Sequence, residues 1–309
     1  MLSRVADSLY WLSRYVERSD GILRMLKINY ATSQDSISEF SWEPVINIFA
    51  PSNENAPDIK NSREVLQYMI TDKENHYSVL NIITRARENA RSVQDHITKD
   101  LWQSLNEYYL IVRDSAVKKS LQKDDPVSAL DLLIKQVMLF YGTAEISMAR
   151  GEGRSFMSIG KYLERSIQSV DILDIKFGTA SSNPDLLSDT SYWKNLLLSI
   201  GGYELYLKCY RQGFEAENVL EQVVLNVDFP RSVLYAINQL KRYFERLRSD
   251  SNMESYLELL FTIGKLQSRI QYSSVQTIRE EGLHAFLTDT RQELFKIGNA
   301  LNKHYFAYT

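Results

Sequence analysis

Two short strings hold most of the chemistry this sequence offers: Tyr15-Val16-Glu17-Arg18 and Tyr162-Leu163-Glu164-Arg165. On a helix, Tyr15, Arg18 and Ser19 share a face, being three and four residues apart. Glu17 lies beside Val16 and Glu164 beside Leu163, each a member of an apolar seam. A carboxylate drawn toward such a seam has to be paired, and arginine can pair with it through two parallel hydrogen bonds. Arg14 precedes Glu17 by three residues, and Lys161 holds the same place before Glu164. The expected chemistry is a polar network at a helix interface, with Tyr15 and Tyr162 as hydrogen-bonding phenols. Two uses compete. The charges could simply fix the register of packed helices, or two copies of the string could converge on a polar pocket.

A second cluster is Arg85-Ala-Arg87-Glu88-Asn89-Ala-Arg91. Arg87 and Arg91 are four apart on one helix face, with Glu88 and Asn89 beside them. Clustered arginines can hold a carboxylate or a phosphate; a solvated face laced with intrahelical ion pairs is the competing reading. Other chemistries find no footing. No nucleophile stands beside a base. The four histidines, His76, His96, His284 and His304, lack ligand spacing, so no metal is expected. Gly151-Glu152-Gly153 is too short for a phosphate-binding loop, and no cofactor is expected. The single cysteine, Cys209, reads as core rather than nucleophile, and its solitude fits a reducing compartment or simple indifference to redox state.

The elements that must position these residues are helices. The chain has 309 residues but only 12 Gly and 6 Pro, so few breakers interrupt it. Apolar residues at 2, 5, 9, 12, 16, 23 and 26 are three, four or seven apart, which predicts a helix over about 2–32. Further helices are predicted at 62–70, 76–123 with at most one break, 126–150, 154–177, 191–212, 215–226, 230–248, 253–272 and 275–305. Asp124-Asp125-Pro126 reads as a helix start, and Pro230 as another. Pro51–Pro57 and Gly178–Thr190 read as loops. The fold class is all-α, a large helical bundle. Hydrophobic residues make up 44% and charged residues 24%, enough for a real core, and the net charge of −3 does not describe a nucleic-acid-binding surface. No run approaches 18 apolar residues and no leader is visible, so the expectation is a cytoplasmic protein without a membrane span.

The sequence also resembles itself. Residues 8–26 (SLYWLSRYVERSDGILRML) match 155–173 (SFMSIGKYLERSIQSVDIL) at a shift of 147. Ser8, Tyr15, Glu17, Arg18, Ser19 and Leu26 recur identically, and the small residue two before the tyrosine recurs as Ser13 and Gly160. A second echo places Leu80–Val93 on Leu220–Val233 at a shift of 140, both ending in Arg-Ser-Val. Two echoes in one order predict pseudo-repeats of about 1–145 and 146–309, related by a pseudo-twofold. A longer loop in the first half, at Pro51–Pro57, would account for the seven-residue difference.

The opening string Met1-Leu-Ser-Arg4-Val-Ala-Asp-Ser-Leu-Tyr-Trp-Leu-Ser-Arg14-Tyr-Val-Glu17-Arg18 resembles the bacterial Alpha-E domain family, named for its helices and its Glu-Arg motif. So do Arg87–Val93 with Trp102 and Asn106, the run from Met148 and Arg150 through Gly153, Phe156 and Gly160 to Glu164-Arg165, and Pro230-Arg231-Ser-Val. The chain departs from the family's pattern at Ser13, Gly21 and Arg154. The resemblance covers nearly the whole chain and implies one Alpha-E-like domain over 1–309. The motif chemistry and the resemblance together mark Arg4, Arg14, Tyr15, Glu17, Arg18, Arg87, Glu88, Asn89, Arg91, Arg150, Lys161, Tyr162, Glu164, Arg165 and Arg231 as motif or binding candidates. It also implies partners: an ATP-grasp-type amide ligase and transglutaminase-like proteins. The expected role is a non-catalytic accessory to that ligase, binding the enzyme, its substrate or its product. The alternative is an enzyme acting on a peptide or amide-linked product through a Glu/Arg/Tyr pocket.

Overall fold

The computed structural model describes residues 1–35, 41–50, 61–123, 125–211, 213–248 and 253–306. Helices dominate, and no strand occurs among the described residues. The chain forms two compact units. One is Trp11–Ala149; the other is Arg150–Thr309 together with Met1–Tyr10. The division falls a few residues after the expected boundary at 145, and the first ten residues belong with the later unit.

Helix α1 (Ser3–Asp35) runs into the 11–149 unit, followed by α2 (Glu43–Phe49), α3 (Ser62–Ile70), α4 (Val79–Ser92), α5 (Lys99–Arg113), α6 (Ser115–Gln122) and α7 (Pro126–Ser147). Asn61 caps α3 as expected, accepting from the Arg63 amide. The stretch predicted as helical over 76–123 with at most one break is three α-helices. Thr98 caps α5 and Asp114 caps α6, each side chain accepting an orphan amide and so restarting the helix. Helix α5 packs on α4 and α7, while α6 packs on α3 and α7. Trp42, Tyr108 and Phe140 fill the interior.

The second unit holds α8 (Glu152–Ser182), α9 (Pro184–Ser188), α10 (Thr190–Ser199), α11 (Tyr203–Cys209), α12 (Ala216–Val224), α13 (Val233–Phe244), α14 (Met253–Gln271), α15 (Val275–Glu281) and α16 (Leu283–Leu301). Helix α8 is its axis, packed against α13 and α16. The loop predicted over 178–190 is mostly helical: Asn183 caps α9 with Pro184 in its first turn, where the missing amide costs nothing. Predicted single helices at 191–212 and 275–305 are each broken, at Gly201 (φ 66°) and Gly282 (φ 93°), left-handed positions that glycine adopts without penalty. Cys209 is exposed, which corrects its assignment to the core. The Pro51–Pro57 loop and Asp124 lie outside the described residues.

Two turns are built alike. Ser78 caps α4, and its hydroxyl donates back to the Asp72 carbonyl at 2.6 Å while accepting from the Asn81 amide. Ser232 caps α13, and its hydroxyl donates to the Asn226 carbonyl while accepting from the Tyr235 amide at 2.9 Å. Ser78 maps onto Ser232 at a shift of 154, and the same shift carries α3 onto α12 at both ends. This corrects the second echo: Arg91-Ser92-Val93 closes α4, whereas Arg231-Ser232-Val233 opens α13. Pro230 accordingly lies in the turn before α13 and does not start it.

One close approach is fixed by sequence. A Cβ on Gly160 would sit 2.3 Å from the Tyr10 carbonyl oxygen, so only glycine lets these backbones meet. Helix α7 alone among the described helices is long and apolar enough, by length and composition, to cross a membrane, although the sequence shows no long apolar run; 44% of the qualifying window is buried.

Candidate functional site

In the 11–149 unit, the seam of α1 carries Glu17 into the interior, where it is 0% exposed. The Tyr141 hydroxyl on α7 donates to Glu17 Oε2 at 2.7 Å. A buried carboxylate needs such donors, because desolvation otherwise removes its stabilisation. Ser19 donates to the Val16 carbonyl at 2.7 Å and accepts from Tyr108 at 3.1 Å. Burial pushes the Tyr108 phenol well above its ordinary range. Arg14 is buried with its guanidinium over the Trp11 ring at 4.6 Å, and Tyr15 lies against the same ring. Asp20 is also buried and takes Arg24 Nε at 3.0 Å on both oxygens. Arg18 is half-buried and Arg4 is exposed.

The arginine cluster on α4 is held on one side by α5. Arg87 Nε donates to Asn106 Oδ1 at 2.8 Å, and its guanidinium lies over Tyr109 at 4.7 Å and Trp102 at 5.4 Å. Glu88 pairs with Arg87 at 3.0 Å and with Arg91 at 3.9 Å. Intrahelical ion pairing therefore accounts for part of the cluster, and aromatic stacking fixes the plane of Arg87. Asn89 is half-buried on the same helix.

In the 150–309 unit, Glu164 is 2% exposed, and Arg165 is buried with Nη1 donating to the Pro230 carbonyl at 3.0 Å. Ser166 donates to the Leu163 carbonyl and Ser169 to the Arg231 carbonyl at 2.7 Å. The α8 strings thus hold the turn that opens α13. Tyr162 stacks on Tyr243 at 6.1 Å, with Lys161 and Arg165 over its ring. Arg150 is exposed. About two helical turns beyond Glu164, Asp171 pairs with Arg291 at 2.7 Å. Burial raises its pKa to about 6 against the pull of Arg291, and Glu164 and Asp174 add to the rise.

The structure adds residues that the sequence reading missed. Tyr141 had no local signal, standing 124 residues from its partner. Tyr243-Phe244-Glu245-Arg246 is a third Tyr-x-Glu-Arg string and was legible. Its glutamate is exposed, and it contributes Tyr243 to the stack on Tyr162. A groove of about 870 Å³ runs along α12 and α15, lined by Glu217, Glu221, Ser274, Arg279 and Glu280. It meets a 330 Å³ apolar pocket lined by Phe177, Leu187, Leu220 and Leu283. None of the sequence candidates lines either. Among the described residues, no group of three His, Cys, Asp or Glu is placed to hold a metal ion.

An all-helical chain with buried Glu-Arg strings on two long helices is the class defined here. The chain belongs to the Alpha-E family, described as a predicted alpha-helical domain with a conserved ER motif, which matches residues 1–306. It is similar to uncharacterized proteins of Mycobacterium bovis and Mycobacterium tuberculosis, at 21% identity over 307 residues. The match covers 93% of this chain and 34% of each of those proteins, so this chain spans about a third of their length. No solved structure matches.

Proposed function

We propose that the protein is a cytoplasmic, non-catalytic helical accessory to an ATP-grasp-type amide or peptide ligase system, binding the ligase, its substrate or its product. One observation carries the non-catalytic part: both motif glutamates are buried, and Glu17 and Arg165 are engaged inside their own units. Glu17 is buried under the Tyr141 hydroxyl, and Arg165 is buried on the Pro230 carbonyl. Groups engaged in this way fix packing and are poorly placed to reach a substrate. The ligase and the transglutaminase-like partners come from the family resemblance. The threefold greater length of the mycobacterial relatives is compatible with this module working beside other chain.

The same reading includes duplication, with pseudo-repeats of about 1–145 and 146–309 inside one 1–309 domain. The match of α1 to α8 at a shift of 147 and the two alike turns before α4 and α13 support it. An enzyme acting on a peptide or amide-linked product is the second reading. Asp171 favours it, since a carboxyl titrating near pH 6 suits proton transfer.

Copurification of the tagged chain with an ATP-grasp-type ligase from its own cells, and a lower product yield in its absence, are the expected results. No association together with unchanged yield would sink the accessory role. Glu17→Gln and Glu164→Gln separate the two readings. Loss of folding stability alone agrees with the accessory reading, whereas loss of a measured turnover at unchanged stability would favour the enzyme.

A further inference from the structure

We propose that the groove along α12 and α15, together with the apolar pocket it meets, binds a short peptide that carries a bulky apolar side chain next to basic ones. Both cavities lie inside the 150–309 unit, and Glu217 and Arg279 line both. Arg279 on α15 pairs with Glu217 on α12, and this ion pair marks the boundary between an apolar end and a charged end.

The apolar end is a pocket of about 330 Å³ whose lining includes Phe177, Leu187, Leu220 and Leu283. Leu220 is buried, whereas Leu187 is 43% exposed, so apolar surface stands open to solvent here. Covering that surface is favourable. Concave sites of about 300–1,000 Å³ are the size that takes a ligand.

The charged end fixes the sign of the ligand. Glu217, Glu221 and Glu280 line the groove against the single guanidinium of Arg279. Arg279 satisfies Glu217. The other two carboxylates have only neutral donors: the Tyr210 hydroxyl reaches Glu221 Oε2 at 3.2 Å, and the Gln276 amide reaches Glu280 Oε1 at 2.9 Å. Neither meets a cation among the described residues, so the groove keeps an excess of negative charge. A cleft lined by one sign of charge concentrates the opposite sign, and lysine or arginine would complete these two carboxylates. Backbone-matching groups favour a peptide over a lone amine. Gln276 gives its amide nitrogen to Glu280, which leaves its amide oxygen to accept, and Arg279 keeps donors beyond the one on Glu217. A peptide bond supplies both complements, an N–H and a C=O, whereas an amine supplies only donors.

Isothermal titration calorimetry of the full chain with the acetylated, amidated peptide Gly-Phe-Lys-Lys-Gly tests it. The expected result is a single site with Kd below about 1 mM that added salt weakens. Gly-Phe-Glu-Glu-Gly and Gly-Ala-Lys-Lys-Gly should each bind at least about 10-fold more weakly, the first through like charges and the second through the empty apolar pocket. Leu187→Asp should remove binding with unchanged circular dichroism. Glu221→Lys combined with Glu280→Lys should reverse the preference toward Gly-Phe-Glu-Glu-Gly, a reversal that loss of folding cannot imitate. No saturable binding of Gly-Phe-Lys-Lys-Gly overturns the proposal, as does equal affinity for the lysine and glutamate peptides. Phenethylamine binding as tightly as the peptide would assign the site to a small amine and overturn it too. The assay contains no ligase, so its outcome is separate from that of the accessory role.

Discussion

The neighbourhoods of Glu17 and Glu164 use one string in two ways. In both, the serine two residues after the glutamate donates to the backbone carbonyl three residues back, from Ser19 to Val16 and from Ser166 to Leu163. In both, the glutamate is buried. Beyond that they part. Around α1 a phenol from α7 reaches the carboxylate, and Arg14 lies on Trp11. Around α8 the arginine and Ser169 reach outward to clamp the turn before α13. The outer charges are even reversed: Lys27 on α1 meets Asp131 on α7, and Asp174 on α8 meets His284 on α16. The lesson is that a local string settles its own helix face and the burial of its glutamate, while the helices that arrive beside it choose the partners.

The largest way to break the comparison is at the small residue two before the tyrosine. Gly160→Ala forces a Cβ onto the Tyr10 backbone, where only a shift of whole helices gives relief. It should lower the unfolding free energy by about 3 kcal/mol in urea denaturation. Ser13→Ala removes only a hydroxyl and should cost less than about 1 kcal/mol. Equal losses at the two positions would mean that the two helices are equally tightly packed there.

Next comes the phenol that α1 has from α7. Tyr141→Phe leaves the ring in place but removes the donor to a buried carboxylate, which should cost about 2 kcal/mol by the same assay. A loss of a few tenths would show that other donors carry Glu17.

The smallest expected effect concerns the carboxylate beyond the α8 motif. The folded pKa of Asp171 lies above its ordinary value, at about 6 against 3.8. The folded chain therefore keeps this proton longer than the unfolded chain as pH rises. Stability contributed by the protonated form is present at low pH, falls between about pH 4 and 6, and is flat above. Asp171→Asn should flatten that part of the stability–pH curve, removing a change of about 1–2 kcal/mol. The matching position at a shift of 147 is Arg24, which pairs with Asp20 inside its own helix. An unaltered slope in Asp171→Asn would place the titration elsewhere, with Glu164 and Asp174 the nearby groups to replace next.

Much of the fold was legible because helix periodicity is local. The seam of α1 and the caps at Asn61 and Asp125 could be read from a few neighbouring residues. The errors were local chemistry misjudged. Thr98 and Asp114 restart helices inside an apolar-periodic stretch, and Gly201 and Gly282 take left-handed backbone that periodicity does not register. The Arg-Ser-Val echo failed because three identical letters can close one helix and open another; only the hydrogen bonds of Ser78 and Ser232 show which serine matches which. In the site, the burial of Glu17 and Glu164 followed from their place beside the seam. Tyr15 and Tyr162, expected as hydrogen-bonding phenols, have rings that pack against aromatic neighbours, and for Tyr162 this is a contact that spacing along one helix does not encode.

The sequence by itself determined that this is a helical chain with two Tyr-x-Glu-Arg helices whose glutamates face inward, because spacing along a helix dictates which side chains share a face. A third string at Tyr243–Arg246 shows the limit of that rule: the same letters at the end of α13 leave Glu245 in solvent. Tertiary structure alone decided that Tyr141 meets Glu17, that Arg165 meets Pro230, and that α7 buries Leu130 and Leu133 while leaving Leu132 and Leu139 exposed. Those outcomes depend on which helices arrive from more than sixty residues away, and no local pattern encodes a neighbour that far along the chain.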